Sequence, residues 1–167
     1  PPQEESHVSR ELELVEAFVG LADTLVVGFD VVEFLHDLVV RSVSLVDAQA
    51  SGLLLSDATD ERLRFVAAST EQARMLELLQ LQNEEGPALD AYRTGARVDV
   101  PDLQKYSDTR PGLHRAMQEA GFASVQALPL RLRERTLGAM TLLRSSPGRM
   151  NETDTAIAQG LADVATI

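Results

Sequence analysis

The chain has 167 residues, no cysteine, 44% apolar residues and a formal net charge of −11. That length and apolar share suit one ordinary globular core, and the absence of cysteine excludes disulfides, thiolate metal sites and thiol nucleophiles. No apolar run approaches the roughly 18 residues that span a bilayer, and the start lacks the basic and apolar blocks of a signal peptide, so a cytoplasmic protein without membrane contact is expected.

Residues 1–8 read as a disordered extension, and residues 9–167 as one domain. Across residues 9–27, Leu12, Val15, Val19, Ala22, Val26 and Phe29 recur every three or four residues, an a/d seam that predicts a helix. A second stripe of Leu14, Phe18, Leu21 and Leu25 widens its apolar face. Gly28 breaks the pattern, and Asp30 with Glu33 forms a capping box that starts a second helix, with Val32, Leu35, Val39, Val43 and Val46 inward. Short strands follow at residues 50–55 and 63–69, joined by the turn formers of residues 56–61. A helix over residues 70–81 carries Met75, Leu78 and Leu79, and a shorter one over 84–95 has Pro87 near its start and Gly95 as its terminator. After a brief strand at 97–100, residues 111–121 form another helix. Residues 123–132 and 136–144 form an antiparallel hairpin, and a final helix begins at Asn151 and runs off the chain end. Helices at both ends and an antiparallel sheet between them make an α+β sandwich.

Chemical motifs are sparse. No two glycines are separated by a single residue, so there is no dinucleotide fingerprint, and no P-loop lysine or G-x-S-x-G elbow occurs. His7, His36 and His114 are too far apart for a short chelating motif, so no metal ligand is assigned. No catalytic residue is assigned either, and the expected protein is not an enzyme. The acidic balance disfavours nucleic-acid binding by the chain as a whole. Residues 105–149 are the exception, with eight basic and three acidic residues. Without interleaved aromatics, Arg131, Arg133, Arg135, Arg144 and Arg149 read as hairpin arginines that pair with the chain's own carboxylates.

Three segments together resemble a known family. The run from Gly86 to Gly95, with Val98-Asp99-Val100-Pro101-Asp102-Leu103, resembles the mid-domain signature of GAF domains. Residues 120–132 with Leu137-Gly138-Ala139-Met140 resemble the closing hairpin of that fold. Residues 158–167 resemble the exit helix of the subfamily in which a GAF domain precedes ANTAR, the RNA-binding domain of bacterial transcription antiterminators. The resemblance implies a sheet of five or six mostly antiparallel strands, with terminal helices on one face and a ligand cavity under the middle helices on the other. It implies a regulatory sensor whose RNA contacts belong to an output domain beyond Ile167. Where that subfamily commonly has cysteine and histidine, this chain has Ala88 and Gln126. No cysteine exists to attach a chromophore, and no cofactor is expected.

Strand alternation places Gln126 in phase with Leu128, Leu130 and Leu132, pointing inward. Gln126 is then either a polar anchor in a pocket or a core amide satisfied by backbone. Leu113, His114, Met117, Phe122, Met75 and Leu79 complete the candidate ligand pocket, with apolar core packing as the competing use of the methionines. Leu12, Val15, Val19, Ala22 and Val26, with Ile157, Leu161 and Val164 of the final helix, form the candidate homodimer interface. The signal sensed is an unidentified small molecule or a protein. Other outputs, such as a kinase or phosphatase, and a ligand-free structural dimerisation module remain as alternatives.

Overall fold

The structure, a computed structural model, describes Val15, residues 31–56 and residues 62–166. The extension and the seam residues Leu12, Val19, Ala22 and Val26 lie outside the described residues. Val15 is helical and exposed. In chain order the elements are α1 (Val31–Leu45), β1 (Ala50–Ser56), β2 (Leu63–Ala68), α2 (Glu71–Asn83), α3 (Pro87–Thr94) and β3 (Val98–Val100). A 3-10 turn (Leu103–Lys105) and α4 (Tyr106–Thr109) then lead into α5 (Pro111–Glu119), β4 (Ser124–Leu132), β5 (Arg135–Arg144) and α6 (Glu152–Val164). The five strands form one antiparallel sheet in the order β2-β1-β5-β4-β3.

Local chemistry sets the helix ends. Thr70 caps α2 by accepting from Ala73 N, and Asn151 caps α6 by accepting from Asp154 N at 2.7 Å. Pro87 and Pro111 open α3 and α5, where a missing N–H costs nothing, and Gly95 closes α3 in the left-handed region. The 3-10 turn and α4 were not expected from sequence. Their sequence, Leu-Gln-Lys-Tyr-Ser-Asp-Thr, is too short and too polar to show a helical period.

The sheet separates two apolar layers. On one side α1 and α6 pack Phe34, Leu35, Leu38, Val39, Ala158, Leu161 and Ala162 against Leu53, Leu128, Leu130, Met140 and Leu142. On the other, α2, α3 and α5 pack Ala73, Leu76, Ala88, Ala91, Leu113 and Met117 against Leu54, Val125, Ala127, Ala139 and Leu143. Three side-chain assignments change. Val32 is 62% exposed and Val43 half-buried, because α1 centres its buried arc on Phe34, Leu35, Leu38 and Val39, leaving both valines about a quarter turn off it. Leu132 is exposed because a register shift between Leu130 and Arg131 breaks the alternation just before the turn, where Arg133 adopts φ 59°.

A hydrogen-bonded hub ties α1, β5 and α6 together. Arg144, nearly buried at the end of β5, donates to Asp47 O at 3.0 Å, Asp47 Oδ2 at 2.9 Å and Gly148 O at 2.8 Å. Asp47 N in turn donates to Asp154 Oδ2 at 2.9 Å, in the first turn of α6.

Gly138 is where β5 admits no side chain, since a Cβ there would run into the backbone carbonyl of Leu54 on β1. Gly138→Ala is expected to cost about 2–3 kcal/mol by forcing β1 and β5 apart. Gly112→Ala, on α5 with nothing within 4 Å, should be neutral or slightly stabilising. Urea denaturation of the two variants checks this contrast.

Candidate functional site

The polar exception in the middle-helix layer is carried by α2. This helix is turned opposite to its apolar stripe: Met75 is 61% exposed and Leu78 is exposed, while Glu77 and Gln80 are buried with Ala73 and Leu76. Glu77 is fully buried, and its Cγ rests on β1 at Gly52, where an added Cβ would lie only 2.6 Å away. Gln80 Nε2 lies 3.5 Å from Glu77 Oε1 and 3.4 Å from Leu76 O. Gln80 Oε1 accepts from Ala88 N at 3.0 Å, in the first turn of α3. Gly86, just before α3, has φ 142°, and any side chain there would collide with the Gln80 amide. From β5, the fully buried Thr141 hydroxyl faces Glu77, yet neither Glu77 Oε2 nor Thr141 Oγ1 completes a hydrogen bond of good geometry.

Burial pushes the Glu77 carboxyl up to about 7, against the opposing influence of the Thr141 hydroxyl and the Gln80 amide. The cluster therefore combines a carboxyl poised near neutrality, an amide and a hydroxyl between a glycine-floored sheet and a helix. It can bind by hydrogen bonds or exchange a proton. It does not supply a second buried acid or base on that face among the described residues.

A second junction holds the covering helices together. Arg110 makes a two-pronged pair with Asp90 of α3, at 3.0 and 3.3 Å, and its guanidinium lies 5.0 Å from the centre of the Tyr106 ring of α4. Burial raises the Tyr106 pKa. For Arg110 burial acts downward, but the hydrogen bond and charge of Asp90 outweigh it and raise the value.

The residues expected to line one pocket do not meet. Gln126 is 3% exposed and points inward, but toward the terminal helices: its amide donates to Asp99 Oδ1 at 2.9 Å and to Thr155 Oγ1 of α6 at 3.2 Å. Met117 and Leu113 are fully buried on the opposite side of the sheet. No single cavity can therefore be lined by Gln126 and Met117, because period-2 alternation sends residues 126 and 125 to opposite faces. The Gln126 partners are side chains and not backbone, and its Oε1 has none. Met75 and Leu79 line an outward groove of about 590 Å³ between α2 and α5, with Leu76, Leu78, Ala116 and Ala120. His114 is half-buried on α5, and Phe122 is partly buried against the same core as Met117. In the proposed dimer interface Leu161 is a correction: it is fully buried within its own chain, and Ile157 and Val164 pack against the same core. Among the described residues no group of three or more His, Cys, Asp or Glu side chains is placed to hold a metal, and no helix is long and apolar enough to cross a membrane.

Glu77 and Gln80 are not among the residues that the sequence pattern singles out. The available signal was their spacing with Ala73 and Leu76, but Met75, Leu78 and Leu79 offered a more apolar face at similar spacing.

An unfolded glutamate ionises near 4.5, and the folded one near 7. Below pH 4.5 both states hold the proton and the carboxyl imposes no ionisation penalty. Between 4.5 and 7 the unfolded chain loses its proton first, so stability falls as pH rises, and above 7 the loss is complete. Glu77→Gln cannot ionise, so its stability relative to the natural chain should rise by about 3 kcal/mol over that window and then level off. Denaturant titrations at pH 4.5, 6 and 8 measure it.

A sequence comparison with curated proteins finds no match. Among solved structures, the GAF domain of an Acinetobacter phosphoenolpyruvate-protein phosphotransferase is similar at TM-score 0.68 and 12% identity, over 91% of this chain and 89% of that one. Free methionine-R-sulfoxide reductase from Neisseria meningitidis, in complex with its substrate, matches at TM-score 0.68 and 16% identity, over 94% and 86%. A GAF domain/HD domain protein from Geobacter sulfurreducens matches at 0.62 and 19%, over 82% and 90%. At these identities the likeness is one of fold. A family model described as GAF domain matches residues 30–167, most of the chain. With the five-stranded antiparallel sheet and its two helical layers, this shows that the chain belongs to the GAF-domain family.

Proposed function

We propose that this GAF domain is the sensing module of a bacterial transcription antiterminator, with its sensing chamber at Glu77, Gln80 and Thr141. The observation that carries the sensing reading is the burial of these three polar side chains, two of them with unpartnered oxygens, in an otherwise apolar layer between helices and sheet. Unsatisfied buried polar atoms cost stability, and each calls for an explanation, of which a functional role is one. The resemblance of residues 158–167 to the exit helix of the ANTAR-linked subfamily supports an RNA-binding output. In this reading a change in the chamber shifts the packing of the terminal helices, which requires the signal to favour one arrangement over the other. RNA is contacted by the output domain alone, and the domain works in the cytoplasm without a membrane partner. No catalysis is proposed. One neighbour in fold is a sulfoxide reductase, but this chain has no cysteine to carry thiol chemistry.

Homodimerisation through the terminal helices is part of the proposal. Val15, Val32 and Val40 are exposed apolar residues, whereas Leu161 is already used internally. One observation favours a second reading, a structural dimerisation module without a ligand: Leu113 and Met117 are fully buried under α5.

Native mass spectrometry of the domain purified from a bacterial host should show a retained small molecule that Glu77→Leu loses, and a bare chain under every gentle condition would favour the structural module. Sedimentation at high micromolar concentration should give a dimer that Val32→Glu with Val40→Glu dissociates, and a natural chain that is only monomeric would end the dimer reading. A histidine phosphoacceptor motif encoded downstream of residue 167 would replace the antiterminator output with a kinase.

A further inference from the structure

A buried carboxylate needs several donors around it, and Glu77 has few. Gln80 Nε2 stands 3.5 Å from Oε1, and Oε2 faces a hydroxyl that has no other partner. No cation is near. The elements packed on α2 are β1, β2, α3 and α5, with Thr141 of β5 beneath. Their ionisable side chains are Arg64 on β2, Asp90, Tyr92 and Arg93 on α3, His114, Arg115 and Glu119 on α5, and Arg135 and Arg144 on β5, and α2 itself adds Glu71 and Arg74. Several are engaged elsewhere: Asp90 with Arg110, Arg93 with Glu84 O, Arg74 with Glu71, and Arg144 with Asp47. None acts by charge on Glu77, whose ionisation is governed by burial, with the facing Thr141 hydroxyl and Gln80 amide acting against it. One proton on Oε2, donated to Thr141 Oγ1, gives both oxygens a partner and removes the buried charge, whereas the ionised carboxylate has only the Thr141 hydroxyl and the Gln80 amide at 3.5 Å to accept from among the described residues.

We propose that Glu77 is a proton-operated latch: protonated, it bonds Thr141 and holds α2 closed on β1 and β5, and on losing that proton to solvent it draws water beneath α2 and loosens the α2–α3 junction through Gln80. The direction of the movement follows from packing. Glu77 Cγ already rests on Gly52, so the ionised carboxyl cannot sink further toward the sheet, and hydration requires α2 to lift. Gln80 transmits this because its amide joins Glu77 to Ala88 N, and Gly86 leaves the room that amide occupies. The latch rests on reading this cluster as the sensing chamber, with the proton as a signal that the chamber registers.

Amide hydrogen exchange at pH 6 and pH 8.5, corrected for the intrinsic rate, tests it on the ligand-free domain. Protection of the α2 amides and of Ala88 should fall at least tenfold at the higher pH, relative to Leu38 and Val39 of α1 in the same sample. Glu77→Gln, a neutral isostere, should abolish that fall, and Glu77→Leu serves as the second neutral variant if the first does not fold. Equal protection of α2 at both pH values in the natural chain overturns the latch, as does a fall that survives in a neutral variant. A retained small molecule with no pH response would leave the sensing chamber standing and remove the latch alone.

Discussion

Glu77 reaches β1 at Gly52, where the strand carries no side chain, and the architecture of the middle-helix layer follows from that contact. A side chain at 52 would exclude the carboxyl, and a smaller residue at 77 would leave a void above the glycine. Holding a polar side chain there turns α2 over, so that Ala73, Leu76, Glu77 and Gln80 face the sheet while Met75 and Leu78 face out. The inversion works against burial of apolar area, in which a buried leucine or methionine is worth about 1.5–3 kcal/mol. The remaining contacts of the layer must hold it in place. Gln80 does so toward α3, and the Asp90–Arg110–Tyr106 junction does so across α3, α4 and α5.

The two faces of the sheet meet in single strands. Thr141 of β5 faces Glu77, while its neighbours Met140 and Leu142 pack into the layer of α1 and α6. Three residues on, Arg144 binds Asp47 and Gly148 and so fixes the end of α1 relative to the start of α6. On β4 the alternation puts Val125 with Met117 on one face and Gln126 with Thr155 of α6 on the other. A shift in β4 or β5 is thus felt by the exit helix through polar contacts with defined geometry, which apolar packing alone would not provide. This gives the proposed signalling route a physical basis in named residues.

The fold was legible because its signals are local. Alternation over Ser124–Leu132 and Arg135–Arg144, prolines at the starts of α3 and α5, Gly95 after α3 and Asn151 before α6 each fix one element from within a few residues. The site was not legible, for two reasons. Gln126 was placed inward as observed, but which face of the sheet is inward for it depends on which helices cover that face, a tertiary fact. Glu77 sits on a helix whose sequence offers two competing faces, and the preference for Met75, Leu78 and Leu79 inside was overridden by the glycine opposite, twenty-five residues away in the chain. Leu132 failed for a smaller reason, a register shift that no residue of β4 announces.

The central claim is that a neutral carboxyl is held against the sheet at Gly52. Carbon-detected NMR of the Glu77 side-chain carboxyl across pH 3 to 9, assigned by its loss in Glu77→Gln, tests this most directly. The account predicts one titration with a midpoint near 7, as burial requires. A midpoint near the ordinary 4.5 would show the carboxyl to be solvated or paired, and would contradict it.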